Sequence, residues 1–199
     1  MKARFGFALV GLAAFALAAC GDGVEDPQPS EPPTAEEIAA QTPNAPENRP
    51  VTLRADGLLI AAPEAGGSAV ELSFGAPQDA VVEQLTMVFG GPQFATNEEC
   101  GAGPIAFATF GDFAALFQDE SFAGWSVTGP SERADFTGPE GVTIGMAGTD
   151  LRKLATYDAF EDSTLGEEFM LGDGEMAVSG LVEDKQVATL WGGVSCNFR

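Results

Sequence analysis

From residue 51 onward the chain alternates short apolar runs with glycine and proline punctuation. Val51 to Arg54 and Gly57 to Ala61 read as short strands, broken at Ala55-Asp56-Gly57. Ala69-Val70-Glu71-Leu72-Ser73-Phe74 alternates with period two, the pattern of a strand with one buried face, and stops at Gly75. The period then changes. Pro77 suits a first helical position, and Asp79 lies near the positive end of the helix dipole. Val81, Leu85 and Val88 recur at helical spacing, with Val82 and Phe89 beside them, and Gly90-Gly91-Pro92 ends the helix. Ile105 to Phe110, Phe113 to Gln118 and Phe122 to Val127 predict three strands, the last two joined across Asp119-Glu120-Ser121.

The second half repeats this order more weakly. Gly141-Val142-Thr143-Ile144-Gly145 parallels Leu72-Ser73-Phe74-Gly75, and Thr149 is placed to cap a helix carrying Leu151, Leu154 and Ala155. Glu168 to Leu171, Met176 to Val182 and Val187 to Trp191 follow as strands. Glu183-Asp184-Lys185 stands where Asp119-Glu120-Ser121 stood, and Trp191 roughly echoes Trp125. A spacing near 70 residues is too long for a solenoid repeat. The expectation is therefore an α+β fold of two fused strand–helix–antiparallel-sheet units, with helices on one sheet face. The units span about residues 69–128 and 141–199, with a groove between them.

The first 50 residues follow other rules. Lys2 and Arg4 precede Phe5 to Ala19, an uncharged and mostly apolar run of 15 residues. That is shorter than the ~20 residues a spanning helix needs, and it has the form of an export signal. Leu17-Ala18-Ala19-Cys20 resembles the lipobox of bacterial lipoproteins, which implies acylation of Cys20 and a membrane anchor. Gly21 follows the cysteine, where an Asp is the inner-membrane retention signal of enteric bacteria. The expected address is the periplasmic face of the outer membrane. Residues 21–50 hold seven of the 13 prolines and seven acids against one base, Arg49. Such a segment buries too little apolar surface to offset its ordering entropy and reads as a disordered spacer. Its one helical hint is the capping-box spacing from Thr34 to Glu37.

One family resemblance rests on the first unit. Leu72-Ser73-Phe74-Gly75, the helix to Leu85, and Phe89-Gly90-Gly91-Pro92 resemble the G-M-T…V…L-G-x-P stretch of the SmpA/OmlA lipoproteins. Phe113 to Trp125 is similar to the closing hairpin of that unit, so the match runs best over residues 71–127. The resemblance implies a β-lactamase inhibitor protein-like fold, helices packed on an antiparallel sheet, and an accessory role in envelope assembly. The acidic charge, the second copy and the leading strand depart from the family, so its partners do not carry over.

Composition narrows the chemistry. Thirty Asp and Glu oppose nine Lys and Arg, for a net charge of −21, and removal of the signal would deepen this to −23. Such a chain repels phosphate backbones, which argues against nucleic acid as a partner. The chain has no histidine, so imidazole bases and His-ligated metals are excluded. No G-x-G-x-x-G follows a strand into a helix, which disfavours the dehydrogenase class, and no cofactor is expected. Asp173-Gly174-Glu175 is too sparse for a calcium loop, and no metal is expected. Adjacent acids occur at Glu98-Glu99, Asp119-Glu120, Glu161-Asp162, Glu167-Glu168 and Glu183-Asp184, which keeps a carboxylate-dependent hydrolase as an alternative.

With Cys20 acylated, Cys100 and Cys196 remain, the arithmetic of one disulfide in an oxidising compartment. The rival reading is a reactive Cys100, which the neighbouring Glu98 and Glu99 disfavour by raising a thiol pKa. Phe107, Phe110, Phe113, Phe117, Phe122 and Trp125 form an aromatic run that reads mainly as core. Outward members, with Phe117, Phe122 and Trp125 as the candidates, would make an interaction surface. The expected function is that of a non-enzymatic, membrane-anchored interaction protein with a protein partner in the envelope. A small-ligand binder using the groove between the units is a further alternative.

Overall fold

β1 (Val51–Arg54) turns back into β2 (Gly57–Ile60), which pairs with β3 (Val70–Ser73). β8 (Phe136–Thr137) adds in parallel on the other side of β1, completing a four-stranded sheet in the order β3-β2-β1-β8. The computed structural model describes residues 49–64, 66–130 and 134–197. The signal segment, Cys20, the Thr34–Glu37 hint and all but the end of the expected spacer lie outside these described residues.

Helix α1 (Gln78–Phe89) follows β3 and buries Val81, Leu85, Val88 and Phe89, the apolar stripe read from the sequence. An antiparallel meander comes next: β4 (Gln93–Asn97), β5 (Ile105–Phe110), β6 (Phe113–Gln118) and β7 (Ser121–Thr128). A second helix, α2 (Gly148–Leu151), is one turn long. It leads into β9 (Tyr157–Phe160), β10 (Glu167–Leu171), β11 (Val178–Glu183) and β12 (Gln186–Gly193). β7 pairs antiparallel with β12, so the eight strands form one sheet in the order β4-β5-β6-β7-β12-β11-β10-β9.

Among the described residues the fold is therefore mostly β, with 12 strands and two helices. This corrects the α+β expectation of helices on one sheet face. Part of the covering is done instead by the small sheet, because β1 and β2 bury Val51, Leu53, Leu58 and Ile60.

The helix-then-meander order recurs down to individual hydrogen bonds. The Gly75 amide donates to the Phe122 carbonyl at 2.7 Å, and the Gly145 amide donates to the Val187 carbonyl at 2.8 Å. The Phe122 amide donates to Ala76 at 2.8 Å, as the Val187 amide does to Met146 at 2.9 Å. The Gln78 amide donates to Glu120 at 2.9 Å, and the Gly148 amide to Lys185 at 2.8 Å. In each unit the tip of the last hairpin thus offers a backbone carbonyl to the first turn of the helix, whose amides have no partner within the helix. Neither helix has a side-chain cap. Thr149 lies inside α2 and does not cap it, contrary to the sequence reading.

Two other details of the repeat are corrected. Val142 to Ile144 form no strand; the corresponding stretch opens with a 3-10 turn, Pro139–Gly141. Trp191 is not the counterpart of Trp125. Trp125 is in register with Gly192 and Trp191 with Ser126, so the two indoles leave opposite faces of the sheet.

The core lies on the Trp125 face. Phe89 of α1 stacks on Phe113 (centroids 5.5 Å apart) and Phe136 (5.9 Å), and Phe113 stacks on Phe136 at 5.4 Å. Helix, large sheet and small sheet are joined at this aromatic cluster, which contributes packing beyond its burial.

Candidate functional site: the cleft beside helix α1

A cleft of about 650 Å³ opens beside helix α1. Its walls are the β3–α1 connection (Gly75, Pro77), the first turns of α1 (Gln78, Asp79, Val82), Phe94 of β4 and the hairpin tip Asp119-Glu120-Ser121. Volumes of this order accept a small ligand or a few residues of a peptide.

Phe94 is set by strand register. It pairs with Ala108, which pairs with Ala115, which pairs with Trp125, so Phe94 shares the core face of the sheet. Its burial differs from that of its row: Ala108, Ala115 and Trp125 are fully covered, while Phe94 is 63% exposed. β4 is the terminal strand and has a strand neighbour only in β5. Four of its five residues are exposed, and none carries a charge or is a proline. Natural sheets usually blunt such an edge with charge, proline or a bulge.

The polar part of the cleft is anionic. Asp79, Asp119 and Glu120 are all exposed, and no basic side chain lines the cleft. Asp119 and Glu120 both hold left-handed backbone, with φ of 51° and 59°. That geometry makes a tight two-residue hairpin and turns both side chains out at the tip. The Asp79 carboxylate accepts a hydrogen bond from the Ala80 amide at 2.8 Å. Ser121 Oγ donates to the Asp119 carbonyl at 3.4 Å, and no imidazole or thiol lines the cleft to activate it. The arrangement suits binding of a cationic, partly apolar group. A general acid for glycoside hydrolysis needs a sheltered carboxyl that holds its proton near neutral pH, and these three carboxylates stand in solvent.

The aromatic candidates read from the sequence are elsewhere. Phe117 and Phe122 are 1% exposed and Trp125 is fully buried, so none of them forms an interaction surface. They occupy the core face of β6 and β7, two central strands of the large sheet. Phe94, which is exposed, lies outside the apolar runs, in Gln93-Phe94-Ala95-Thr96-Asn97. The expected groove between the two units is closed by the direct pairing of β7 with β12.

The adjacent acids also separate. Glu167 pairs with Arg152, whereas Glu168 is 2% exposed and accepts a hydrogen bond from Ser163 Oγ at 2.5 Å. Elsewhere, the Glu140 carboxylate accepts from the Thr156 hydroxyl, from the Ala155 amide at 2.7 Å and from the Thr156 amide at 2.9 Å. The Thr156 hydroxyl first, and then the two amides, hold this carboxyl below its ordinary value of 4.5.

Cys100 is buried and Cys196 half-buried, and both are thiols in the structure. They are neighbours: the Cys196 thiol is pushed up to about 11 by its burial, by a hydrogen bond with Cys100 and by the charge Cys100 would carry. Asn97 Nδ2 lies 3.2 Å from Cys196 Sγ.

No protein-family model matches this sequence, and comparison with curated proteins and with solved structures yields no significant similarity.

Proposed function

We propose that this protein is a non-enzymatic interaction module of the bacterial envelope, anchored by lipid at Cys20 and held off the membrane by the residues 21–50 spacer. The lipobox-like Leu17-Ala18-Ala19-Cys20 supports the anchor, and Gly21 supports the outer membrane as its address. The helix-then-antiparallel-meander order supports the resemblance to the SmpA/OmlA lipoproteins. An accessory role in the envelope follows from that resemblance.

The observation that carries the interaction reading is Phe94. A 63% exposed phenylalanine stands on an uncharged edge strand, beside a cleft bearing three carboxylates and no base. The occupant that fits is an extended protein segment carrying Lys or Arg next to apolar residues. Its backbone would add to the free edge of β4, its apolar side chain would cover Phe94, and its cation would meet Asp79, Asp119 or Glu120. Strand addition supplies affinity through main-chain hydrogen bonds, and the side-chain pockets supply selectivity.

The test uses the full chain and a fluorescent peptide of alternating Lys and Val, with a Glu–Val peptide as control. The Lys–Val peptide should bind and the control should not. Phe94→Ala should weaken binding by about tenfold, the scale of one lost apolar anchor of roughly 1–2 kcal/mol. Asp79→Lys should weaken it further at low salt and less at high salt. Equal binding of both peptides, or indifference to Phe94→Ala, would overturn this reading.

A further inference from the structure

We propose that Cys100 and Cys196 form an intramolecular disulfide that fastens the C-terminal residues 194–197 as a strap across the back face of the eight-stranded sheet. The back face is the one opposite α1, and this inference is independent of the cleft.

The path of the strap is fixed by backbone contacts. After β12 the Val194 amide donates to the Ala123 carbonyl at 2.8 Å, turning the chain over β7. It passes so close that a Cβ on Gly124 would sit 2.1 Å from the Val194 carbonyl oxygen. Only glycine at 124 admits that approach. Ser195, Cys196 and Asn197 then line a cavity of about 170 Å³ together with Phe107, Leu116 and Trp191. Cys100, Ile105 and Leu116 form a separate small apolar cluster, and Phe107, Val194 and Cys196 pack against it.

The end of the strap is held to the β4–β5 region by weak contacts to sulfur. Asn97 Nδ2 donates to Cys196 Sγ at 3.2 Å, and Cys100 Sγ reaches the Ser195 carbonyl only at 3.9 Å. The strap lies over the apolar Phe107 and Trp191, so a covalent fastening would keep that surface closed. Cys196 packs against the apolar cluster that holds Cys100, so the two sulfurs are neighbours in a partly dry site. Cys100 sits in the loop between β4 and β5, so the bridge would join that loop to the end of the chain.

The chemistry is two rounds of thiol–disulfide exchange with an external disulfide of the Cys-x-x-Cys oxidoreductase class. Cys196, the more exposed thiol, loses its proton and attacks one sulfur of that disulfide, whose other sulfur leaves as a thiolate. Cys100 then loses its proton and attacks Sγ of Cys196, releasing the second thiolate. Two electrons pass to the oxidant, which is reduced to a dithiol, and the two protons go to water or to the leaving thiolates.

The experiment uses the full chain carrying Cys20→Ser, so that only these two thiols are counted, with oxidised glutathione as the probe oxidant. We expect alkylatable thiols to fall from two per chain to none, without a lasting glutathione adduct. A non-reduced peptide map should join the Cys100 and Cys196 peptides within a single chain. Amide exchange of residues 194–197 should slow by about tenfold on oxidation. Cys100→Ser should instead trap a stable glutathione adduct on Cys196. Two thiols that persist under oxidant, a disulfide between chains, or a bridge that leaves the exchange of residues 194–197 unchanged would each overturn the proposal.

Discussion

Trp125 Nε1 donates a hydrogen bond to the Arg54 carbonyl at 2.9 Å, across 71 residues of sequence. Trp125 belongs to β7 of the large sheet and Arg54 to β1 of the small one, so this part-buried bond ties the two sheets together. The indole lies flat over Gly192, where an added Cβ would come within 2.7 Å of the ring. Arg54 is held in turn by ion pairs to Asp56 and Glu71, both at the surface.

Trp125→Phe should therefore cost more than its lost area. It leaves the Arg54 carbonyl without its indole partner, a loss of about 1–3 kcal/mol. Gly192→Ala should cost a similar ~1–3 kcal/mol by displacing the indole. Urea unfolding of the full chain checks both, and Glu71→Gln serves as the control, expected within about 0.5 kcal/mol because its ion pair is exposed.

The hairpin tips give a prediction of opposite sign. Glu120 and Lys185 both hold positive φ, 59° and 68°, to present a carbonyl to the helix that precedes their meander. A non-glycine residue there stores backbone strain. Glu120→Gly and Lys185→Gly should each raise stability by about 0.5–1 kcal/mol, since the turn and its carbonyl are kept. A loss of stability in thermal unfolding would contradict the assignment.

Acid should loosen the turn entering β9. The Glu140 carboxyl is held below 4.5 by Thr156 and the Ala155 and Thr156 amides. A carboxyl with a lowered folded value contributes stability above its unfolded value and loses it as pH falls through the folded one. Protection of the Ala155 and Thr156 amides should therefore hold at neutral pH and fade as pH drops past 4.5, and in Glu140→Gln it should be weaker and no longer fade with acid. Protection factors from hydrogen exchange measure this directly.

If the disulfide forms, its effect on stability should be that of a single long loop. Cys100 and Cys196 lie 96 positions apart, for which the loop-entropy model gives ~4.6 kcal/mol. Cys100→Ala and Cys196→Ala should destabilise the oxidised protein about equally, and the double variant no more than either. Additive losses in denaturant unfolding would contradict a shared bond.

Burial patterns explain which parts of this fold can be read from residues. β5 and β6 match the expected spans, and α1 presents the apolar stripe its spacing predicts, because each packs one face against the core. β4 leaves almost no trace, since an edge strand exposed on both sides needs no alternation. β8 is two residues long and α2 a single turn, both held by neighbours rather than by their own propensity. The cleft escapes a sequence reading for the same reason. Runs of aromatics mark central strands, so they point to the buried Phe117, Phe122 and Trp125, whereas Phe94 stands alone among polar residues. The two hairpin tips are legible as charged turns between apolar runs, but their register is one residue off: Asp184-Lys185, not Glu183-Asp184, answers to Asp119-Glu120, because these are the two residues between the paired ends of each hairpin.

Residue-resolved amide exchange of the full chain, with and without the Lys–Val peptide, tests the docking reading most directly. New protection is expected at alternate amides of Gln93–Asn97, with loss of that protection in Phe94→Ala and no change on the back face near Trp191. Binding that leaves β4 unprotected and protects another surface would contradict it.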